Sequence, residues 1–320
     1  MPAASGQLSV TGCRHPAPGY STPTRYTLDF MLLVNADDFG LTPGVNRSVA
    51  ELHQARALSS ATLMATGAFF EDAVSTAKAN PTLEVGCHVL LVDGTPVLPP
   101  EQIPSLVGRD GKFRPTLTSF VRDLFTFRIR PEEITAEATA QIRRIQAAGL
   151  RVSHIDTHKH THLFSGILRP LLQAAQACGI AAIRNPFEPA WALRATHTSN
   201  AGVSRLRRFA VVALGTEHRA FQRLVRASGL KTTAGTIGVL ATGTTGPENV
   251  AATVRALIAA QPDDAASVWE LVCHPGYTDA ALDQVRTRLR ASRAHEHQAL
   301  LEILPSIPLA TWRDLSPRSE

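Results

Sequence analysis

The sequence predicts an α/β protein built as a single-domain β/α barrel of a distorted TIM type. From position 31 onward, short strand-like segments alternate with helix-like segments, which is the pattern of consecutive βα units. The strand-like segments are nearly continuous apolar runs, as expected of parallel strands that are buried on both faces. Polar clusters follow several of these strands, and a β/α barrel gathers its functional side chains at that carboxyl edge.

Six segments have the length and composition of buried strands. They are MLLVNADDFG from Met31, SSATLMATG from Ser59, LEVGCHVLL from Leu83, LRVSHIDTHKHTH from Leu150, IAAIRN from Ile180 and SVWELVCHPG from Ser267. Right-handed crossovers between such strands would place the helices outside the sheet.

Helical periodicity predicts the intervening helices. The clearest begins at Pro131, with Glu132 and Glu133 in its first turn, and ends at Gly149. The others are expected at 44–56, at 69–79, at 167–178, from a Thr245–Glu248 capping box through Val250 to Ile258, and over a long stretch at 279–303.

One folded domain is expected at 30–315, after a disordered tail at 1–29. The tail is rich in Pro, Ser, Gly and Thr and lacks the apolar region of a secretory signal. Met31 stands directly before the first strand, which makes it an alternative candidate for the translation start. The long connection Val92–Pro115 is rich in Pro and Gly, and a loop of that length is more often functional than idle, so we expect it to wall a site.

Composition excludes several classes of protein. The 320 residues are 44% hydrophobic and 18% charged, which suits a large core and not a disordered chain. The net charge of +5 comes without a dense basic tract interleaved with aromatics, so nucleic acid is not expected as a partner. No apolar run approaches the roughly 18 residues that span a bilayer. The scattered Cys13, Cys87, Cys178 and Cys273 favour reduced thiols in a cytoplasmic protein.

Two acidic residues close the first predicted strand, and a histidine lies in the third. Asp37 and Asp38 suit a division of labour in which one carboxylate binds a metal and the other handles a proton. An ordinary exposed turn is the alternative for this pair before Gly40. His88, a lone histidine on an apolar strand, is by itself more typical of a hydrogen-bonded core histidine than of a ligand.

The strongest signal is a run in which every second residue is His or Asp. Within one strand, all of these side chains would project from the same face. Buried imidazoles need partners, so the run favours metal binding over a solvated His-rich loop. Its members are His154, Asp156, His158, His160 and His162.

A further histidine follows the last predicted strand. His274, in the sequence Cys273-His274-Pro275-Gly276, would stand on the same rim as the other clusters and could serve as a general acid. A histidine in an ordinary turn is the alternative.

These segments together resemble the YdjC-like carbohydrate deacetylase family, which includes chitooligosaccharide deacetylases and deacetylases associated with hopanoid biosynthesis. The resemblance extends from about Met31 to about Leu304. It is carried, in this order, by VNADDFGLTPGVNRSV, SSATLMATG, VGCHVLLVDGTPVLPP, HIDTHKHTH, IRNPFEP and ELVCHPGY. The resemblance implies a barrel of the glycoside hydrolase and deacetylase kind.

The resemblance also implies roles for individual residues. It implies a divalent ion, magnesium or zinc, held by Asp38, His88 and His158, with Asp37 as the base. Cys87 departs from the family pattern, which has a bulky apolar residue before the first of these histidines. The resemblance assigns contacts to substrate or support of the ligands to His154, Asp156, His160 and His162, and it places Arg184 and His274 at further polar positions.

The expected function is removal of the acetyl group from an N-acetylated saccharide or glycolipid, either a chitooligosaccharide or a GlcNAc-bearing lipid. Two alternatives stay open. Another metal hydrolase on a barrel, such as a phosphoesterase or a cyclic-amide hydrolase, would need further ligands, which His160 and His162 could supply. A non-catalytic metal- or sugar-binding protein would have no need for Asp37.

A basic and apolar segment raises the question of a membrane partner. The segment Arg205–Leu214 combines arginines with an apolar run. It is compatible with a buried core helix and with an interfacial segment whose arginines meet anionic headgroups. The second interpretation places a cytoplasmic protein peripherally at the inner membrane, and a homodimer is also left open.

Overall fold

Eight parallel strands form one sheet in the computed structural model, which describes residues 31–193, 217–239, 242, 246–260 and 267–315. The strands are β1 (Met31–Phe39), β2 (Ser60–Leu63), β3 (Glu84–Val89), β4 (Val152–Thr157), β5 (Ala182–Ile183), β6 (Lys231–Thr232), β7 (Gly235–Ile237) and β8 (Val268–Cys273). Their spatial order is β6-β5-β4-β3-β2-β1-β8-β7.

Helices follow most of the strands. They are α1 (Pro43–Gln54), α2 (Phe70–Ala79), α3 (Leu117–Phe125), α4 (Pro131–Ala147), α5 (Ser165–Ala177), α6 (His218–Ser228), α7 (Pro247–Ala260), α8 (Ala280–Asp283) and α9 (Ser292–Ile303). Within the described ranges, no helix is long and apolar enough to cross a membrane.

The sheet curls into a distorted barrel because the chain ties its two edges together. β6 and β7 lie at opposite ends of the strand order, yet only Thr233 and Ala234 separate them in sequence. So short a connection spans about 10 Å at most, so the edges must meet. Asn185 holds this connection in place, since its Nδ2 donates to the carbonyl oxygens of Thr233 (3.3 Å) and Ala234 (3.0 Å). The predicted fold class is confirmed.

Side chains alternate between the two faces of each strand. Leu32, Val34 and Ala36 of β1 belong to the apolar core beneath the helices. Asn35 and Asp37 lie on the other face, and both are buried. There they form hydrogen bonds with polar side chains from β2: Asn35 Oδ1 accepts from Ser60 Oγ (2.6 Å), and Asp37 Oδ1 accepts from Thr62 Oγ1 (3.1 Å). The barrel interior is therefore polar, and its groups are bonded to one another.

The structure corrects two predicted elements. The segment Leu150–His162 is not one strand, because β4 ends at Thr157 and a 3₁₀ turn follows at His158–Leu163. The long helix expected at 279–303 is two helices, α8 and α9, separated by a non-helical connection. The predicted tail, the segment Arg205–Leu214, Thr245 and Cys13 lie outside the described residues, whereas Cys87, Cys178 and Cys273 are free thiols, as predicted.

Candidate metal centre

Three side chains from three separate strands converge at the carboxyl edge of the barrel. Asp38 lies near the end of β1, His88 near the end of β3, and His158 directly after β4. Asp38 Oδ1 is 3.7 Å from His88 Nε2 and 3.5 Å from His158 Nδ1, and the two imidazole nitrogens are 3.2 Å apart. The structure thus brings together all three residues to which the resemblance assigned a metal.

The chemistry of this group fits a divalent cation. Asp38 Oδ1 is buried and has no hydrogen-bond donor among the described residues. A buried carboxylate oxygen without a partner is costly, and a cation between the three atoms would supply one. One carboxylate oxygen and two imidazole nitrogens form a common zinc donor set, and three protein ligands leave a coordination position for water or substrate. The group could therefore hold a metal ion.

Four of the six described non-glycine residues with positive φ lie around this site, while the other two, Arg56 and Phe127, lie elsewhere. Asp38, Asp93, Lys159 and His160 have φ values of 64°, 59°, 59° and 51°. Non-glycine residues rarely adopt this left-handed region, and such strain concentrates at functional sites. The left-handed conformation of Lys159 and His160 turns the chain after β4. For this reason His158, His160 and His162 do not share one strand face.

The second oxygen of Asp38 is held by a residue that sequence reasoning missed. Arg293 of α9 donates from Nη2 to Asp38 Oδ2 at 2.5 Å. Burial alone would raise the pKa of Asp38, but the Arg293 guanidinium together with His158 and His274 outweighs burial and holds that pKa well below its usual value. Asp38 is therefore an ionised carboxylate whose Oδ2 bonds to Arg293 and whose Oδ1 has no hydrogen-bond donor among the described residues.

Asp37 belongs to a second, adjoining network around a buried arginine. Arg184 donates to both oxygens of Asp37, from Nη1 to Oδ2 (2.9 Å) and from Nη2 to Oδ1 (2.7 Å). It also donates from Nε to Glu270 Oε1 (2.7 Å) and pairs with Asp156. Burial would raise the pKa of Asp37, but Arg184 together with His88 and His274 outweighs burial and holds that pKa below its usual value. Burial raises the pKa of Glu270 to about 7 despite the same arginine.

His88 is oriented from behind by Asp156. Its Nδ1 lies 2.8 Å from Asp156 Oδ1, which leaves Nε2 directed at Asp38 and His158. Burial favours the neutral ring, but the carboxylates of Asp156 and Asp37 outweigh burial and raise the pKa of His88 to about 9. A carboxylate behind a ligating histidine fixes its tautomer and increases its basicity, so Asp156 would support the ligand and not bind the metal itself.

His274 stands beside Asp37 on the same rim. Its Nε2 is 3.8 Å from Asp37 Oδ2, and its backbone N–H donates to Glu296 Oε2 of α9 at 2.6 Å. Burial lowers the pKa of His274 to about 4, although Asp37 and Asp38 act in the opposite direction. The imidazole is therefore neutral near pH 7 and able to accept a proton.

The remaining histidines of the run have separate surroundings. His154 lies deeper in the barrel, stacked on Trp312 with ring centroids 3.8 Å apart. His162 is buried, with Nδ1 2.7 Å from Thr157 Oγ1. Burial lowers the pKa of His160 to about 3, and its Nδ1 has no hydrogen-bond partner among the described residues. Of the histidines in this run, only His158 therefore belongs to the group formed with Asp38 and His88.

A cavity of about 430 Å³ adjoins His158. The long loop lines it with residues at 93–95 and between 108 and 115, together with Leu41 and Met64.

The loop is fixed by bonds to the rest of the protein. Lys159 Nζ bonds to Asp93 Oδ2 of this loop at 2.7 Å. The buried Glu137 of α4 accepts from the backbone N–H groups of Val97 (2.8 Å) and Leu98 (3.0 Å), which anchors the loop. The loop forms a wall beside the site, as expected.

The fold and this site define a class: a parallel β/α barrel with a one-carboxylate, two-histidine group at the carboxyl ends of its strands. A family model described as YdjC-like protein matches residues 31–303, and the chain belongs to that family.

Curated relatives and a solved structure agree with this assignment. A carbohydrate deacetylase of Brevibacillus brevis is 43% identical over 145 residues, which are 45% of this chain and 55% of that protein. One from Oceanobacillus iheyensis is 37% identical over 143 residues, 45% and 60% of the two chains. The matched region is thus only a little over half the length of these relatives. The crystal structure of a candidate cellobiose-phosphate cleavage protein from Enterococcus faecalis superposes with a TM-score of 0.69 at 25% identity, over 89% of this chain and 98% of that one.

Proposed function

We propose that the protein is a metal-dependent hydrolase that removes the acetyl group from an N-acetylated amino sugar. The observation that carries the proposal is the convergence of Asp38, His88 and His158 around a buried carboxylate oxygen that lacks a donor among the described residues. Family membership and the names of the curated relatives, carbohydrate deacetylases, support the reaction.

The side chains of the site have complementary roles in this reaction. A divalent ion, magnesium or zinc, held by these three ligands would supply Lewis-acid activation of water and of the amide carbonyl. Asp37 is ionised and held by Arg184, so it is placed to accept the proton of the attacking water. Its low basicity favours passing that proton on to the neutral His274, whose Nε2 is 3.8 Å away. His274 then protonates the departing amine nitrogen.

Acetate release tests the proposal directly. The protein, loaded with zinc or magnesium, is incubated with soluble N-acetylated chitooligosaccharides and with a GlcNAc-bearing lipid. We expect one acetate and one free amine per turnover, and no release by His158→Ala. If wild-type protein with a filled site releases no acetate from any of these substrates, the deacetylase proposal fails.

The same preparation separates the alternative functions. A count of two metal ions per chain would favour a phosphoesterase or another hydrolase with two metals, for which His160 and His162 would have to contribute ligands. Among the described residues, neither His160 nor His162 belongs to a group of ligand atoms close enough together to hold an ion, which opposes a second ion bound by these histidines. A non-catalytic metal- or sugar-binding protein would bind saccharide without cleaving it, whether or not Asp37 is present.

We further propose that this cytoplasmic protein makes a peripheral contact with the inner membrane. Among the described residues, the exposed large hydrophobic side chains are Phe125 (65% exposed) and Phe127 (94%) at the end of α3. The exposed Arg122 and Arg128 flank them and share the single carboxylate of Asp123. Aromatic side chains surrounded by excess positive charge match an anionic lipid surface.

Co-sedimentation with phospholipid vesicles tests the membrane contact. We expect binding to vesicles that contain anionic lipid, little binding to purely zwitterionic ones, and weaker binding as salt rises. Phe125→Ser with Phe127→Ser should reduce the bound fraction severalfold. If the wild-type protein ignores anionic vesicles at low salt, the proposal is wrong. If the double variant instead converts a dimer into a monomer, the surface belongs to a homodimer.

A further inference from the structure

Helix α9 presents two buried charged side chains to the site. Arg293 and Glu296 lie three residues apart, on the same face of the helix, and both are buried. Arg293 bonds to Asp38 Oδ2 at 2.5 Å and to the carbonyl oxygen of His274 at 3.4 Å. Glu296 accepts the backbone N–H of His274 at 2.6 Å. One helix face therefore contacts both a proposed metal ligand and the proposed acid.

We propose that Arg293 and Glu296 are positioning residues, with Arg293 presenting Asp38 to the metal and Glu296 holding His274 beside Asp37. The inference deepens the proposed function and rests on it for the role of His274. The metal-directed part concerns binding alone, so it can be tested without any turnover.

The geometry explains how Arg293 would act. A carboxylate can rotate and can offer one oxygen or both to a cation. With Oδ2 engaged by Arg293, the oxygen that faces His88 and His158 is Oδ1 (3.7 and 3.5 Å). The planar guanidinium reaches Asp38 and the His274 carbonyl at once, which an ammonium group at the end of a flexible chain does not do equally well. Arg293 thus links the ligand on β1 to the loop after β8.

Stability alone is a weak reason for this arrangement. Taking an arginine and a carboxylate out of water costs about as much as their attraction returns, so a buried ion pair adds little net stability. Residues that orient metal ligands, in contrast, commonly change metal affinity by about 10- to 100-fold when they are replaced. A positioning role predicts an effect on binding that exceeds any effect on folding.

Zinc affinity provides the primary test. Dissociation constants are measured by competition with a chromophoric chelator for the wild-type protein, Arg293→Met and Arg293→Lys. We expect zinc binding by Arg293→Met to be about 10- to 100-fold weaker, in line with other residues that orient ligands, and partial recovery in Arg293→Lys. Arg290→Met is the matched control, since Arg290 bonds to the carbonyl groups of Leu282, Asp283 and Val285 and should leave affinity unchanged.

A double-mutant cycle separates positioning from general destabilisation. If Arg293 acts through Asp38, Arg293→Met should weaken zinc binding in the wild-type background but hardly at all in Asp38→Asn. An equal loss in both backgrounds, or wild-type affinity in a folded Arg293→Met protein, overturns the proposal. If circular dichroism shows that Arg293→Met does not fold, the zinc affinity of Arg293→Lys is compared with that of the Arg290→Met control. Weaker binding by Arg293→Lys alone supports the proposal, and equal affinities overturn it.

Glu296 is tested through the chemical step. Glu296→Ala should lower kcat about tenfold or more while leaving KM and zinc affinity near wild type, because misplacing an acid affects proton transfer. Glu296→Gln keeps an oxygen acceptor for the His274 N–H and should restore most of kcat. Unchanged kcat in a folded Glu296→Ala protein overturns this part. If even the wild-type protein releases no acetate, the proposed function fails, whereas the zinc measurements on Arg293 still stand.

Discussion

Asp37→Asn is expected to lower kcat for acetate release by roughly 100- to 10,000-fold, the range that general acid–base groups contribute. An amide cannot take the proton from the attacking water, and it cannot pass one on to His274. The metal should stay bound, because Asp37 is not one of the side chains Asp38, His88 and His158, and both of its oxygens accept hydrogen bonds from Arg184. Steady-state kinetics and elemental analysis of the same preparation measure the two effects.

The surrounding arginine network makes this variant interpretable. Arg184 retains Asp156 and Glu270 as partners after the substitution, so its buried charge stays paired. We expect circular dichroism to show a folded protein, with full metal content. Near-normal kcat in such a protein would remove Asp37 from the chemistry, and a loss of metal would mean that Asp37 is a ligand.

Removing either histidine ligand is expected to empty the metal site and abolish turnover, but at different costs in stability. The side chain of His158 is 21% exposed, whereas that of His88 is 2% exposed and bonds to Asp156. His88→Ala therefore leaves a buried carboxylate short of a partner, which costs about 1–3 kcal/mol, and His158→Ala does not. Elemental analysis should show metal lost from both variants.

Thermal unfolding of the metal-free proteins tests the difference. We expect the Tm of His88→Ala to fall several degrees below wild type and that of His158→Ala to stay close to it. Comparing metal-free forms excludes the stabilisation that a bound ion adds to the native state. Full metal occupancy in either variant would contradict the assignment of the ligands, and equal Tm values would contradict the role given to Asp156.

The amino-acid sequence predicted the elements that depend on local pattern. The apolar run of β1 and the periodicity of α4 are strong signals, and both elements form as expected. β6 and β7 have two and three residues, too few for any periodicity, and they form through tertiary pairing with β5 and β8. The end of β4 depends on two consecutive left-handed residues, Lys159 and His160, which ordinary propensities disfavour.

From the sequence, only those site residues that lie in recognisable motifs at strand ends were predictable. Strand ends of a parallel barrel meet at one edge, so acidic and histidine clusters at those ends pointed to Asp38, His88 and His158. Arg293 carried no such signal, because it lies in a helix 255 residues from Asp38. Arg293, Glu296 and His297 share one face of α9, and charged residues at helical spacing ordinarily predict an exposed face, so the sequence did not indicate that this face is buried.

The position of β8 has a consequence for the order in which the protein matures. β8 lies between β1 and β7, so β1 keeps one open edge until β8 has been made. An open strand edge is a template for pairing with other chains, and nascent proteins fold from the amino terminus onward. Asp37 and Asp38 lie on β1, so their carboxylates are synthesised long before Arg293. Chains stalled before residue 268 would therefore expose the unpaired edge of β1, and we expect them to aggregate.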